Sequence, residues 1–376
     1  MEFKVNSKEL EKLLGKIIPA VPTRTPMPIL ENFLFEVKDG LLTIYATDLE
    51  ISLKSSLNIV TEDNVRLVVP ARLLNDIVRS LKDTTIHFKL TSNKKINLIT
   101  DTGKYVISYL DPDEFPDIPA VTEDKNVKEI NEVVINGVEL RQAFEKSSFA
   151  MSKEEMRPAM MGTLFEFTDE GLRFVTTDGH RLVNLFKKNI KASFGQQYVV
   201  PERAVSVLLK VLDEKDVKVY MTKSYISFKL NDIELITRLI AQKYPDYNSV
   251  IPLENEFLLK VNTNDIHDSI RRMMLFSTSS TRRVKFSISK NALEISAEDL
   301  DIGASGEEKV VCEYSGDDLE IGFNSTYVND VLNHMSDNEE IIFKLHSPTK
   351  AVIIEPVQKK DNQELMMLLM PVRLNT

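Results

Sequence analysis

A pattern of β-type and helical stretches occurs three times along the chain, and this repeat limits the possible folds more than any other feature. Each copy begins with a strand-like stretch that ends in Val-Asn or Ile-Asn and leads into an amphipathic segment, at Val5-Asn6, Ile135-Asn136 and Val261-Asn262. Asparagine is a favoured helix N-cap because its side-chain oxygen accepts hydrogen bonds from free backbone N–H groups of the first turn. We therefore expect a helix to begin after each of these dipeptides.

Each copy continues with two alternating β-type stretches around a turn, which predicts a β-hairpin followed by an acidic residue. The turns and their acidic residues are, in order, Asp39-Gly40 with Asp48, Glu170-Gly171 with Asp178, and Asn291 with Asp299. A further strand then leads into a second helix, at 67–78, 198–209 and 321–332. Every copy is thus predicted to contain two helices among several short strands.

The repeat predicts an α+β fold of three tandem, structurally equivalent domains, each with two helices and small antiparallel sheets. The first two copies end in the similar segments Phe115-Pro116-Asp117 and Tyr244-Pro245-Asp246. We expect domains at residues 1–122, 128–252 and 253–376, and a length of 376 residues suits two or three ordinary domains.

Composition restricts the environment and the chemistry. The single cysteine, Cys312, excludes an internal disulfide and any multi-cysteine metal site, so nothing calls for an oxidising compartment. The first residues lack the apolar stretch of a signal peptide, and no run approaches the ~18 apolar residues of a membrane span. We expect a cytoplasmic protein with no cofactor, no metal and no membrane partner.

The charge of the chain gives two opposing indications about nucleic acid. A formal net charge of −10 argues against a phosphate partner, which normally requires a basic surface. The predicted helices nevertheless combine an apolar face with a basic one, and in the second helix the apolar face comprises Leu73, Leu74, Ile77, Val78 and Leu81. The basic positions are Lys8, Lys12 and Lys16 in the first helix, Arg72, Arg79 and Lys82 in the second, and Arg203 and Lys210 in the second helix of the middle copy.

Two interpretations of these basic faces are open. Lysine and arginine can simply solvate the exposed side of a helix. Equivalent helices of three like domains would instead place their polar faces on one common surface if the domains closed into a ring. A ring holds DNA by topology and needs only weak, sequence-independent attraction to phosphate. A triplicated β-rich interaction scaffold that never contacts DNA is the alternative, and the basic face of the first helix argues weakly against it.

Three short segments, taken with the repeat, resemble a known family over essentially the whole chain. They are Thr177-Asp178-Gly179-His180-Arg181-Leu182 after the middle hairpin, Tyr244-Pro245-Asp246-Tyr247, and Met370-Pro371-Val372-Arg373-Leu374 at the end. The family is the bacterial DNA sliding clamp, the beta subunit of DNA polymerase III. The resemblance implies a head-to-tail homodimeric ring that encircles duplex DNA and tethers the replicative polymerase, without catalysis of its own.

The resemblance also implies a pocket between the second and third domains for short apolar peptide motifs. The partners it implies are the DNA polymerase III alpha subunit, the clamp loader, other polymerases and repair proteins. A groove with apolar walls and a few polar anchors suits such peptides. The matching positions are Met160, Thr177, Gly179, His180, Arg181, Leu182, Pro245, Val250, Leu368, Met370, Pro371, Val372, Arg373 and Leu374.

Contacts with DNA and with a second subunit come from the same resemblance. Arg24 and Arg157 match loop positions that contact DNA, and they join the basic helix positions. The positions that match the dimer interface are Tyr105 and Ile107 in the first domain and Leu275 and Phe276 in the third. Ordinary core packing is the alternative for these four.

The chain departs from the family pattern at three places. The family often has an arginine where this chain has Ser249, which implies a different peptide preference. Pro158 and Ala159 replace tyrosines next to Arg157. Two residues, Asn375 and Thr376, follow the usual final leucine.

An enzymatic role would have to involve His180 beside Asp178, since histidine titrates near neutrality. The sequence has no Gly-x-Ser-x-Gly, His-Glu-x-x-His, P-loop or Gly-x-Gly-x-x-Gly motif, and its five histidines are scattered. We therefore expect Asp178, Gly179 and His180 to form a turn and line the pocket rather than to catalyse a reaction.

Overall fold

The computed structural model describes residues 1–61, 63–122, 129–278 and 282–374, and their secondary structure follows the predicted repeat. Three times in succession the chain forms one strand, a helix, four strands, a second helix and three strands. The elements of the first copy are β1 (Glu2–Asn6), α1 (Ser7–Ile17), β2 (Asn32–Lys38), β3 (Leu41–Thr47), β4 (Ile51–Asn58), β5 (Val65–Pro70), α2 (Ala71–Ser80), β6 (Thr85–Thr91), β7 (Lys95–Ile99) and β8 (Lys104–Ser108).

The middle and final copies repeat this order, which confirms the expected α+β fold of like domains. The middle copy comprises β9 (Asn131–Asn136), α3 (Gly137–Ser147), β10 (Gly162–Phe167), β11 (Leu172–Thr177), β12 (Arg181–Lys187), β13 (Gln197–Pro201), α4 (Glu202–Val211), β14 (Asp216–Met221), β15 (Tyr225–Lys229) and β16 (Ile233–Arg238). The final copy comprises β17 (Phe257–Asn262), α5 (Thr263–Met273), β18 (Arg283–Ser289), β19 (Ala292–Asp299), β20 (Ala304–Tyr314), β21 (Leu319–Asn324), α6 (Ser325–Met335), β22 (Glu340–Leu345), β23 (Val352–Pro356) and β24 (Gln363–Leu369).

Asparagine side chains cap the first helix of every copy, as predicted. The Oδ1 atom of Asn6 accepts hydrogen bonds from two backbone N–H groups of α1, at 2.8 and 3.2 Å. Asn262 does the same for α5 at 3.0 and 3.2 Å, and Asn136 accepts one bond at 3.1 Å from α3. Asn324 caps α6 in the same way. Such a cap typically contributes about 1 kcal/mol to helix stability.

The predicted hairpins are also confirmed, since β2 pairs with β3, β10 with β11 and β18 with β19. The first turn contains Asp39 and Gly40, both in the left-handed region with φ of 51° and 76°. Two consecutive residues with positive φ match the right-handed twist of the flanking strands, which favours Asp-Gly there. Asn291, with φ of 64°, occupies the corresponding turn of the third hairpin.

The chain divides into two compact units. Unit 1 comprises Met1–Arg141 and Arg203–Leu239, and unit 2 comprises Gln142–Glu202 and Ile240–Thr376. Unit 1 contains a four-stranded sheet, β1-β6-β7-β8, and an eight-stranded sheet, β5-β2-β3-β4-β16-β15-β14-β9. Unit 2 contains one twelve-stranded sheet in the order β13-β10-β11-β12-β24-β23-β22-β17-β20-β19-β18-β21.

Strand pairs between successive copies make these sheets larger than the small sheets expected for each copy. In unit 1 β4 pairs antiparallel with β16, and in unit 2 β12 pairs antiparallel with β24. Each pair joins two strands whose backbone N–H and C=O groups would otherwise lie unpaired at a sheet edge. The sheets of adjacent copies are therefore continuous within each unit.

The buried face of α2 matches its predicted apolar positions only in part. In α2, Ala71, Leu74 and Val78 are buried, but Leu73 is 51% exposed and Ile77 is half-buried. The buried residues follow a spacing of three and four, so they form one stripe that faces the rest of the unit, and Leu73 lies beside that stripe. The helix thus keeps an apolar strip that the chain itself leaves partly uncovered.

Candidate functional site

The turn between β11 and β12 is built by Asp178, as expected. Its Oδ1 atom accepts hydrogen bonds from the backbone N–H groups of His180 at 2.9 Å and Arg181 at 3.0 Å. Gly179 adopts a φ of +89°, a conformation that is strained for residues with a side chain. The His180 ring stacks on Tyr327, with ring centroids 5.8 Å apart. Asp178 therefore orders the backbone of the turn, and His180 presents its ring at the surface beside α6.

The carboxyl-terminal segment lies alongside this turn. In the pairing of β12 with β24, Arg181 is opposite Leu369 and Leu182 is opposite Leu368. One residue further, the backbone N–H of Met370 donates to the carbonyl oxygen of His180 at 2.8 Å. The structure thus brings together two of the three segments that carried the family resemblance.

The segment after Met370 packs on Gly322 of β21. The backbone N–H of Val372 donates to the Gly322 carbonyl at 2.8 Å. A Cβ atom at Gly322 would lie 2.8 Å from both the Val372 oxygen and Leu374 Cδ2, closer than side chains approach. The sequence pattern did not single out Gly322. Its position inside a predicted strand could have indicated it, because a glycine there often marks a close approach of another backbone segment.

An apolar cluster of unit 2 contains residues from two of the three family-like segments, together with Leu368, which lies just before the third. Its buried members are Ala159, Leu164, Val175, Leu182, Val199, Tyr244, Tyr247, Ala351 and Leu368. Leu182 and Leu368 thus belong to the core rather than to an open surface, and Thr177 is also buried. Among the predicted pocket residues, the apolar side chains that remain half-buried or exposed are Met160, Pro245, Val250, Met370, Pro371, Val372 and Leu374. These residues can supply the walls of a groove, and Asn375 and Thr376 lie outside the described residues.

Arg157 lies at the same turn. A Cβ atom built on Gly179 would be 3.0 Å from Arg157 Nη1 and 3.8 Å from Met160 Cε. The Nε atom of Arg157 also forms an ion pair with Glu154 at 3.4 Å. The sequence assigned Arg157 to DNA, and that assignment stays a prediction. The structure adds that the guanidinium lies beside Gly179, one of the predicted pocket residues.

A basic groove between α1 and α2 brings several predicted DNA-facing residues together in unit 1. The groove has a volume of about 490 Å³ and is lined by Lys8, Glu11, Lys12, Gly15, Ile18, Asn75 and Arg79. Three of the predicted cations are held by partners in their own unit. Lys8 pairs with Glu11 at 2.7 Å, Lys16 with Asp232 at 2.6 Å, and Arg203 with Asp48 at 2.9 Å.

The other predicted cations differ in how freely they can meet a ligand. Arg72 donates from Nη2 to the Pro22 carbonyl at 3.2 Å. Of the remaining predicted cations, Lys12, Arg24, Arg79, Lys82 and Lys210 are exposed and have neither an ion pair nor a side-chain hydrogen bond within the described ranges. Their charge is available to an external anion.

The four predicted interface residues have different surroundings. Ile107 is 4% exposed and packs in the core of unit 1, which agrees with the core-packing alternative, and Tyr105 is half-buried. Leu275 is 76% exposed. The Phe276 ring covers Gly306, where a Cβ atom would be 2.8 Å from the ring. Leu275 is thus the most exposed of the four side chains.

No grouping of three or more His, Cys, Asp or Glu side chains suited to a metal ion occurs in the part of the chain that the structure describes. In the same residues, no helix combines the length and apolar character that crossing a membrane requires.

Comparison with known proteins identifies the family. Models of the DNA polymerase III beta subunit match in succession, the N-terminal domain at 1–119, the central domain at 134–246 and the C-terminal domain at 248–373. A beta sliding clamp from Vibrio cholerae is 30% identical over 100% of both chains. The chain belongs to the beta sliding clamp family. A sliding clamp is a processivity factor of DNA polymerase III rather than a catalytic enzyme, which excludes the acid–base interpretation of His180.

Solved sliding clamps share the fold. The DNA polymerase III beta subunit of Pseudomonas aeruginosa has a TM-score of 0.92 at 26% identity, and that of Thermotoga maritima has 0.89 at 27%, each over 100% of both chains. A Pseudomonas aeruginosa sliding clamp bound to griselimycin has a TM-score of 0.90 at 27% identity, again over 100% of both chains. The clamp fold therefore extends over the whole chain.

Proposed function

We propose that this sliding clamp works as a head-to-tail homodimeric ring around duplex DNA, with three domains per subunit at 1–122, 128–252 and 253–376. Residue 128, the proposed start of the second domain, lies outside the described residues. Family membership supports the ring, and the cytoplasm is the proposed location. The observation in this chain that carries the proposal is a pair of unpaired strand edges with opposite charge.

The two edges belong to different copies of the repeat. Within the described residues, β8 pairs only with β7, and residues 304–311 of β20 pair only with β19. Edge strands with free N–H and C=O groups are templates for pairing with another chain. Exposed apolar side chains accompany both edges, namely Val106 on β8 and Val311 on β20, and Leu275 is exposed in the final copy as well.

The charges of the edges favour a head-to-tail arrangement. Lys95 and Lys104 lie on the exposed surface of β7 and β8, whereas Glu298 and Glu307 lie on the exposed surface of β19 and β20. Pairing of like edges would bring like charges together, which costs free energy, while pairing of unlike edges brings opposite charges together. A heterologous contact of this kind closes into a ring when its rotation permits.

Sedimentation equilibrium tests the dimer. The subunit mass is 42.9 kDa, and we expect a species of twice that mass. Lys104→Glu should weaken the dimer by about tenfold because it places like charges across the interface, and adding Glu307→Lys should restore most of the affinity. A chain that stays monomeric under all conditions, or a second substitution that brings no recovery, would contradict the proposal.

We further propose that the exposed cations Lys12, Arg24, Arg79, Lys82 and Lys210 provide the attraction to DNA phosphates. The ion-paired side chains of Lys8, Lys16 and Arg203, together with Arg72 and Arg157, contribute less because contacts within the chain already hold them. Sequence-independent attraction of this kind suits a protein that slides along DNA.

We propose that the groove around Met160, Val250 and Met370 binds short apolar peptide motifs of the DNA polymerase III alpha subunit, the clamp loader, other polymerases and repair proteins. Half-buried Met160 and exposed Met370 support this, because flexible thioether side chains repack around different ligands. The Ser249 hydroxyl donates to the Asp246 carbonyl at 2.7 Å, so position 249 offers a neutral group and suits peptides that need no cationic contact there.

Truncation after Leu369 tests the pocket. Because it removes Met370 and the segment that packs on Gly322, we expect a fluorescent peptide from the polymerase alpha subunit to lose measurable binding in anisotropy titrations. The dimer should stay intact by sedimentation, since the proposed interface lies on β8 and β20. Unchanged peptide affinity would refute the assignment of the pocket.

A further inference from the structure

Arg181 is one of the proposed pocket residues, yet all three of its guanidinium nitrogens are engaged within the chain. Nε donates to Asp178 Oδ2 at 3.1 Å, Nη1 donates to Asp330 Oδ2, and Nη2 donates to the Phe149 carbonyl at 2.9 Å. The guanidinium carbon also lies 5.2 Å from the ring centre of Phe149 and 4.7 Å from that of Tyr327. Only 11% of the side chain is exposed. A peptide could gain this guanidinium as a ligand only if internal bonds broke.

The partners of Arg181 come from separate parts of unit 2. Asp178 belongs to the turn before β12, Phe149 follows the end of α3, and Asp330 and Tyr327 lie on α6. Charged and planar groups of the middle and final copies therefore converge on one side chain. Three hydrogen bonds, two of them to carboxylates, and two contacts with aromatic rings fix the orientation of the guanidinium.

A second layer of contacts holds Phe149 and α6 together. The His334 ring stacks on the Phe149 ring, with centroids 4.0 Å apart and planes inclined by 12°. Its Nδ1 atom lies 2.6 Å from the Asp330 carbonyl. Burial lowers the pKa of His334, so the ring is neutral at physiological pH beside the cations of Arg181 and Lys146. Lys146 Nζ adds a bond to the His334 carbonyl at 3.3 Å.

The backbone of Arg181 is directly connected to the proposed peptide walls. His180 precedes it and accepts the Met370 N–H at 2.8 Å, and Arg181 itself is opposite Leu369 in the strand pair. A displacement of the Arg181 side chain would therefore move His180 and Met370 together. The Arg181 side chain, only 11% exposed, is thus linked to these walls through the backbone.

We infer that Arg181 serves partner binding as a positioning residue rather than as a ligand of the peptide, and that Asp330 of α6 is its required counterpart. The inference rests on the proposed peptide site. Loss of the Asp330 charge leaves a mostly buried guanidinium without one of its two carboxylate partners, which costs free energy until the turn rearranges. Asp330 was not among the residues that the family resemblance suggested, because only the folded chain brings it to Arg181.

A double-mutant cycle on peptide affinity tests the inference, with the fluorescent alpha-subunit peptide and the full-length dimer. Arg181→Gln and Asp330→Asn should each weaken binding by about five- to tenfold, and the double variant should bind no more weakly than the weaker single one, because the two side chains act as one unit. Asp330→Glu, which keeps the charge, should recover part of the affinity. Glu340→Gln, which removes the 3.0 Å Lys260–Glu340 ion pair of the same unit, should keep peptide affinity within about twofold.

Three results would overturn the inference. The first is an Asp330→Asn variant that binds the peptide at least as well as the unmodified clamp, combined with weak binding by the Arg181→Gln variant. That result would make Arg181 a direct ligand. The second is a double variant whose loss of binding free energy equals the sum of the two single losses. The third is a lowered melting temperature with unchanged peptide affinity, since that would limit the pair to general stability. Absence of peptide binding by the unmodified clamp is a different outcome, because it would refute the proposed site itself and with it the inference.

Discussion

Gly322 determines where the last described residues of the chain can lie. Its backbone carbonyl binds the Val372 N–H, and its missing side chain leaves room for the Leu374 side chain and the Val372 oxygen. The segment that ends at Leu374 is therefore held by a strand rather than left free. At the residue scale, the geometry of the proposed pocket depends on a position that lies outside its walls.

Gly322→Ala tests this dependence. The added methyl group would lie 2.8 Å from backbone and side-chain atoms, so the segment must shift. We expect a loss of about 1 to 3 kcal/mol in unfolding free energy, as for other overpacked sites, together with clearly weaker peptide binding. Chemical unfolding and anisotropy titration measure the two effects.

Gly195→Ala is the matched control for this substitution. A Cβ atom there would lie 3.7 Å from its nearest neighbour, an ordinary contact, so stability and peptide affinity should stay near those of the unmodified clamp. Equal peptide affinity of the Gly322→Ala variant and the control would contradict the role given to the glycine.

Local residue patterns predicted local structure well and long-range contacts poorly. The N-cap asparagines and the turn made by Asp178 depend on neighbours two or three positions away, so the sequence alone indicated them. Asp330 reaches Arg181, and Gly322 reaches Val372, only after distant segments have packed together. No short sequence motif indicates such a long-range contact. Ile107 shows the same limit, since its β-strand pattern fits a core position and an interface equally well.

At the scale of whole elements, α2 presents three different faces. Ala71, Leu74 and Val78 are buried in unit 1. A strip of Leu73 and Ile77 stays partly exposed, and Arg72 and Arg79 occupy the remaining side. Leu81 and Lys82, which the sequence placed on this helix, follow its last residue, Ser80. Periodicity predicted the helix and its amphipathic character, but it could not separate the two apolar strips, because both fall within one broad apolar arc. Which strip is buried depends on the elements that pack against the helix.

The basic face of α1 and α2 leads to a prediction about DNA. Lys12 and Arg79 line the same groove and have no ion-pair partner among the described residues, so a double substitution to glutamate should remove two phosphate contacts. We expect weaker binding to short duplex DNA and a salt dependence that is reduced by roughly one unit of log–log slope per lost contact. Titrations at several salt concentrations measure the slope.

Lys218→Glu is the control for this change, because Lys218 is an exposed lysine on the sheet strand β14. It should leave the slope close to that of the unmodified clamp. The double helix substitution lowers the net charge by four and Lys218→Glu lowers it by two. A control loss of about half that of the double variant would mean that net charge alone controls DNA binding, contrary to the face proposed for α1 and α2.

The extent of the sheets could be predicted only in part. Hairpins such as β2–β3 follow from alternation around a turn, but the joining of β4 to β16 and of β12 to β24 involves strands from different copies. Alternation specifies which face of a strand is apolar, and it carries little information about which edge meets which. The continuous sheets of the two units therefore emerged from the structure rather than from the sequence.

At the scale of the whole molecule, an acidic protein can serve DNA without binding it tightly. The net charge of −10 opposes close association with phosphate, whereas a few exposed cations on the helices favour it locally. A ring resolves this conflict because retention depends on topology, and the weak attraction permits sliding. Three like copies per chain allow a closed assembly from few subunits.

The most direct test of the ring measures retention on DNA of different topology. The clamp is loaded by its clamp loader on nicked circular DNA, washed with salt high enough to remove ordinary phosphate binders, and quantified before and after one restriction cut. We expect the clamp to stay on the circle and to leave once the DNA is linear, because free ends let a ring slide off. Equal loss from circular and linear DNA at the same salt would contradict the ring.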